Sequence, residues 1–118
     1  MNRRKTGSKY EMLAVKYLEQ DGYRILERNF FSRYGEIDII AGKGDLLVAC
    51  EVKYRSDGRC GDALEAVDRR KQNRICQTML YYFAKHGFSA DTPCRFDVVA
   101  ISGEGMVRHI KNAFEFRG

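Results

Sequence analysis

The run Leu46-Leu47-Val48-Ala49-Cys50-Glu51-Val52-Lys53-Tyr54-Arg55 constrains the fold more than any other stretch of the chain. It follows Gly42-Lys43-Gly44-Asp45, which has the chemistry of a hairpin turn. Its dense apolar content suits a central strand rather than an edge. Side chains alternate faces along a strand. Leu46, Val48, Cys50, Val52 and Tyr54 therefore make an apolar face that should lie against a helix. Leu47, Ala49, Glu51, Lys53 and Arg55 share the opposite face, so three charged residues are placed on a strand that is otherwise core.

The rest of the chain arranges itself around this strand. A helix is expected from about Ser8 to Gln20, with Tyr10, Leu13, Ala14, Tyr17 and Leu18 at helical spacing. Thr6 or Ser8 can cap its start, and Asp21-Gly22 ends it. Tyr23 to Phe31 reads as an edge-like first strand, and Glu36 to Ile40 as a second. After the loop Ser56–Gly61, helical spacing returns from Asp62 to Lys85, with Leu64, Val67, Ile75, Thr78, Met79 and Tyr82 on one stripe. Asp68 is placed to cap a break within it. Phe96 to Ile101 and Met106 to Ile110 complete five strands. The expected class is α/β, one domain of 118 residues, with a mixed five-stranded sheet flanked by helices.

Composition narrows the partners. The net charge of +5 is compatible with a polyanion. No long uncharged apolar run is present to span a membrane, and no apolar stretch of signal-peptide type follows the basic start. The expected location is therefore the cytoplasm. Cys50, Cys60, Cys76 and Cys94 lack the paired spacing of metal ligands and are expected to be reduced thiols. His86 and His109 lack such spacing too and are expected to be surface or structural residues.

The chemistry gathers on the hairpin. Glu36 and Asp38 share one face of the second strand, and Ile37 and Ile39 the other. A two-residue turn at Lys43-Gly44, or a four-residue loop, sets Asp38 opposite Ala49 and Glu36 opposite Glu51. Asp38 is then a diagonal neighbour of Glu51, roughly 7–8 Å away at the backbone. Carboxylates at that separation can converge on one hard cation, Mg²⁺ or Mn²⁺, that keeps several waters. Such an ion activates water and stabilises charge on a phosphate, while Lys53 positions the water or neutralises the phosphate. The spacing E-x-K alone is common and equally describes a solvated strand face with an ordinary ion pair.

Gly35-x-x-Asp38 followed by Glu51-x-Lys53 resembles the signature of the PD-(D/E)XK nuclease superfamily. Gly7-x-x-x-Glu11 resembles an upstream acidic motif of several of its branches, resolvase-like members included. One family is a closer match. Gly22-Tyr23-Arg24-Ile25-Leu26, Arg28-Asn29, Gly35-Glu36-Ile37-Asp38, Glu51-Val52-Lys53, Leu64-Glu65-Ala66-Val67-Asp68 and Arg95-Phe96-Asp97-Val98-Val99 resemble the YraN family of small bacterial proteins. The resemblance implies a restriction-endonuclease-like α-β-β-β-α-β core. It also implies a catalytic set of Asp38, Glu51 and Lys53, with the metal on Asp38 and Glu51 and accessory carboxylates at Glu11 and Glu36. The expected reaction is hydrolysis of phosphodiester bonds in DNA, branched or structured forms included. Resolvase-like relatives leave room for a homodimer.

Arg69-Arg70-Lys71 and Arg74 form a basic patch on the second helix, and Arg55 and Arg59 flank the loop leaving the central strand. These are the candidate nucleic-acid contacts, DNA before RNA. For Lys71 the alternative is a lysine whose stem passes the core edge and whose head reaches water. Two other functions remain open from the residues alone: a nucleic-acid-binding module with little catalysis, and a protein-interaction domain that keeps a relic site.

Overall fold

The computed structural model describes the backbone of residues 3–55 and 67–115, and the side chains of residues 9–54 and 67–115. The elements follow in the order α1 (Arg3–Gln20), β1 (Arg24–Ser32), β2 (Gly35–Lys43), β3 (Leu46–Arg55), α2 (Arg69–His86), β4 (Cys94–Ser102) and β5 (Val107–Phe114). The five strands form one sheet in chain order. The first three make an antiparallel meander, β4 runs parallel to β3, and β5 returns antiparallel. The parallel pair is the one whose connection contains α2, as a parallel pair requires a crossover. This is the expected mixed sheet with flanking helices.

β3 is the middle strand and supplies both halves of the core. Val48 and Cys50 pack with Ala14 and Leu18 of α1, Ile39 of β2 and Val99 of β4. Leu47 and Ala49 pack with Ile75 and Met79 of α2, Ile40 of β2 and Val98 of β4. Alternation along one strand thus feeds two apolar layers, each closed by one helix. Of the expected stripe, Ile75, Thr78, Met79 and Tyr82 are buried on α2, and Val67 is buried just ahead of the helix, which starts at Arg69 rather than running through from Asp62. Leu64 lies outside the described residues. Cys50 and Cys94 are free thiols, and burial pushes Cys94 up to about 12. No helix among the described residues is long and apolar enough to cross a membrane.

Turn and cap chemistry fixes the ends of the elements. α1 stops where Gly22 adopts a φ of 91°, and the Gly22 and Tyr23 N–H groups reach back to Glu19 and Leu18. Asp68 is the N-cap of α2 and accepts from the Lys71 N–H at 2.8 Å.

Four expectations are corrected. α1 begins at Arg3, so Thr6 and Ser8 lie inside the helix rather than capping it. The hairpin turn is Gly44-Asp45, because Lys43 pairs with Leu46 and Gly44, at φ 59°, takes the position that demands positive φ. Ile37 and Ile39 do not share a layer: Ile37 packs on the α2 side and Ile39 on the α1 side. The strand alternation breaks there beside Asn29 of β1, whose φ is 53°. β5 also runs on to Phe114, whose ring stacks on Phe96 with centroids 5.0 Å apart.

Candidate functional site

The corrected hairpin register moves the two key carboxylates closer. Ile39 pairs with Cys50, so the next position sets Asp38 across from Glu51 rather than diagonal to it. The shift is by two residues, which leaves every β3 side chain on its expected face. Backbone pairing between β2 and β3 ends at Ile39, and Asp38 replaces it with its side chain. Its Oδ2 accepts from the Val52 N–H at 2.8 Å. Asp38 is thereby fixed at the point where the two strands part.

Glu51 is only 3% exposed. Its Oε2 lies 3.0 Å from the Lys71 ammonium of α2. Its Oε1 is buried and has no hydrogen-bond partner. Burial, and then the charge of Asp38, raise the Glu51 carboxyl to about 7 against the pull of Lys71. Burial and the neighbouring Lys71 lower Lys53. Burial also opposes the charge on Lys71, but Glu51 and the surrounding groups outweigh it and hold that ammonium above its ordinary value.

A pocket of about 400 Å³ opens over this pair, walled by Glu36, Asp38, Glu51, Arg70, Lys71 and Arg74 among others. Glu36 is raised by burial and then by Asp38. Glu11 projects from α1 and is likewise raised by burial and then by Asp38, so its charge reaches the same place. Its Oε1 is 3.9 Å from Arg28.

The structure therefore brings together Asp38, Glu51, Lys53 and Glu36, with Glu11 close by. It brings Lys71 onto Glu51 itself, and Arg70 to the pocket wall. Arg69 is exposed on the first turn of α2. Arg55 ends β3, with its side chain outside the described residues, as is the whole of Arg59. Sequence reasoning missed the part of Arg28 and Asn29, which face the Glu11 carboxylate from β1. The adjacent Arg28-Asn29 pair was the available signal. His109 is structural: its side chain is 2% exposed and its Nε2 lies 2.7 Å from Asp97.

The donors suit a hard divalent ion. Two carboxylates converge from neighbouring strands, and one buried oxygen lacks a partner. Among the described residues no three His, Cys, Asp or Glu side chains are grouped to enclose a metal. An ion here would be held by Asp38 and Glu51, with water filling its remaining positions.

Comparison with known proteins shows what this arrangement is built into. A UPF0102 protein of Lachnoclostridium phytofermentans is 45% identical over 118 residues, covering 100% of this chain and 99% of the relative. One from Geobacter metallireducens is 45% identical over 98% of this chain and 96% of its own length. One from Stutzerimonas stutzeri is 43% identical over 93% and 94% respectively. Residues 10–101 match the family described as "Uncharacterised protein family UPF0102", and the chain belongs to that family.

Proposed function

We propose that the Asp38–Glu51 pocket is the centre of a metal-dependent endonuclease acting on DNA, branched or structured forms included. One observation carries the reading. Glu51 is a buried carboxylate directly across from Asp38, and it keeps an oxygen without a hydrogen bond. A structural ion pair has no need of such an oxygen, whereas a cation site does. The same reading assigns the chain to the PD-(D/E)XK superfamily and to the cytoplasm.

Asp38 and Glu51 hold Mg²⁺ or Mn²⁺, and Glu11 and Glu36 add to the negative potential. When bound, the ion lowers the pKa of a water and stabilises charge on the phosphate. Lys53, on the same strand face as Glu51, orients the attacking water. Arg70 and Arg74 line the pocket wall and Arg69 stands beside them, so all three serve the phosphate backbone, together with Arg55 and Arg59. A phosphate chain suits a pocket whose wall carries Arg70, Lys71 and Arg74.

A second reading rests on the Lys71–Glu51 pair. Two ammoniums already balance two carboxylates, so the pocket is stable without metal. A nucleic-acid-binding module with little turnover would look the same.

The test is a panel of linear, single-stranded, flapped and four-way DNA with Mg²⁺ or Mn²⁺. Cleavage of at least one form is expected. Asp38→Asn and Glu51→Gln should each lower it by roughly 100-fold, the scale of removing one group from a preorganised charged site. Wild-type protein that binds the panel but cuts none of it would leave the binding module.

A further inference from the structure

Lys71 of α2 holds the Oε2 of Glu51, beside the unpartnered Oε1 that a metal ion would meet. Its Nζ is 3.0 Å from Oε2, a direct charge-assisted contact with a carboxylate that is itself buried. A buried carboxylate left alone would be costly, and Lys71 offsets that cost. The ammonium is not sealed in. Its side chain is 38% exposed and reaches the pocket mouth, so it can leave for solvent or for another anion. Glu51 cannot follow, because it is fixed on the central strand of the sheet.

Electrostatics then decides the sequence of events. Asp38 and Glu51 face Lys53 and Lys71, with a third carboxylate at Glu36 and two further cations, Arg70 and Arg74, on the pocket wall. Adding a divalent cation beside both ammoniums is unfavourable. Removing one ammonium, or adding phosphate charge, makes it favourable. Arg70 and Arg74 on the same helix already direct phosphate to this wall.

We propose that Lys71 is a resident counter-cation that a divalent metal must displace from Glu51, and that the displaced ammonium then takes a phosphate of the nucleic acid. Metal and nucleic acid bind cooperatively as a result, and metal alone binds weakly. This inference rests on the metal site proposed above, and it deepens that reading by naming how the site is regulated.

The experiment is calorimetric titration of Mn²⁺ into wild-type, Lys71→Met, Lys71→Gln and Lys71→Arg proteins, each with and without a short DNA duplex. Without DNA, the Met and Gln variants should bind Mn²⁺ about tenfold more tightly than wild type, within the usual range of coupling between two sites. Lys71→Arg should stay near wild type, since a cation remains. DNA should tighten Mn²⁺ binding by about the same factor in wild type and by little in Met and Gln. A merely structural lysine would lose affinity when removed, not gain it. Gln keeps a hydrogen-bond donor for Glu51, so a folded uncharged variant is available if Met is unstable. Mn²⁺ binding by Met and Gln no tighter than wild type, including no binding by any protein, overturns the inference. Cleavage is measured separately: a protein that cuts DNA while Met and Gln show unchanged affinity refutes the inference and keeps the nuclease. The reverse result keeps the counter-cation and refutes the nuclease.

Discussion

Glu51 keeps its proton to about pH 7, because burial and then Asp38 disfavour its charge. An ordinary glutamate releases it near 4.5. Below the lower value both folded and unfolded chains are protonated, and Glu51 gives no pH slope. Between the two values the folded chain binds the proton and the unfolded chain does not. Stability therefore falls as pH rises through this window, by up to about 1.4 kcal/mol per pH unit, and levels off above it. Glu51→Gln removes the titration while nearly keeping the shape. Urea unfolding of both proteins without metal, at about pH 5 to pH 8, should show the variant gaining on wild type by roughly 2–3 kcal/mol. A stability difference that stays flat across that range would contradict the assignment. At this scale the shared face of Glu51 and Lys53 was legible because strand alternation fixes a face without knowledge of the partner, whereas Asp38 lies where the alternation of β2 breaks. The Lys71–Glu51 contact was not legible, since it joins residues on a helix and a strand through a crossover that sequence spacing does not measure.

Elements were legible to the extent that local chemistry specifies them. β3 has the bounds its apolar run suggests, and α2 starts after Asp68, the aspartate expected to cap a break within a longer helical stretch. The hairpin register was off by two residues because two adjacent glycine-containing turns compete, and only the observed one puts Gly44 first. An even error preserves faces, so Glu51 and Lys53 stay on the face expected of them. β5 was read four residues short, because its last segment follows an irregularity in the ladder between Phe96 and Val98. Asp97 repairs that irregularity. It is fully buried and accepts from the Asn112 N–H, whose residue has a φ of 55°, as well as from Arg95, and pairs with His109 Nε2. His109 and Arg95, ahead of other influences except the burial that opposes them, hold the Asp97 carboxyl below its usual value. Its contribution is thus present above the ordinary carboxylate range and is lost as pH falls through the lowered value. Asp97→Asn leaves Arg95 beside a neutral group in the core. The variant should lose about 3 kcal/mol in urea unfolding at neutral pH. Mn²⁺ affinity should not change, because Asp97 packs on the α1 face and the pocket opens on the α2 face. A loss of metal binding at unchanged stability would move Asp97 into the site.

Over the whole molecule, charge is distributed unevenly in a way that composition alone conceals. The chain carries +5, yet Glu11, Glu36, Asp38 and Glu51 concentrate negative charge at one place on the sheet. The cations that compensate it lie mainly on one helix, with Arg69, Arg70, Lys71 and Arg74 within its first two turns. On the proposed reading, a nucleic acid approaching the pocket would meet this rim before the carboxylates, and the rim would release its condensed counterions. The logarithm of DNA affinity should therefore fall linearly with the logarithm of salt concentration. Each phosphate contact adds roughly 0.9 to the slope for a duplex. Reversing Arg69 and Arg70 together to glutamate should flatten the slope by about 1.8, if each makes one contact. The loss should be similar for all DNA sequences, since phosphate contacts carry no base information. Asp38→Asn, measured without metal, should leave the slope unchanged, because it removes negative charge behind the rim and adds no phosphate contact. Fluorescence anisotropy with one labelled duplex over about 50–200 mM salt distinguishes these outcomes. An Arg69→Glu, Arg70→Glu protein with the wild-type slope would take Arg69 and Arg70 out of the contact surface.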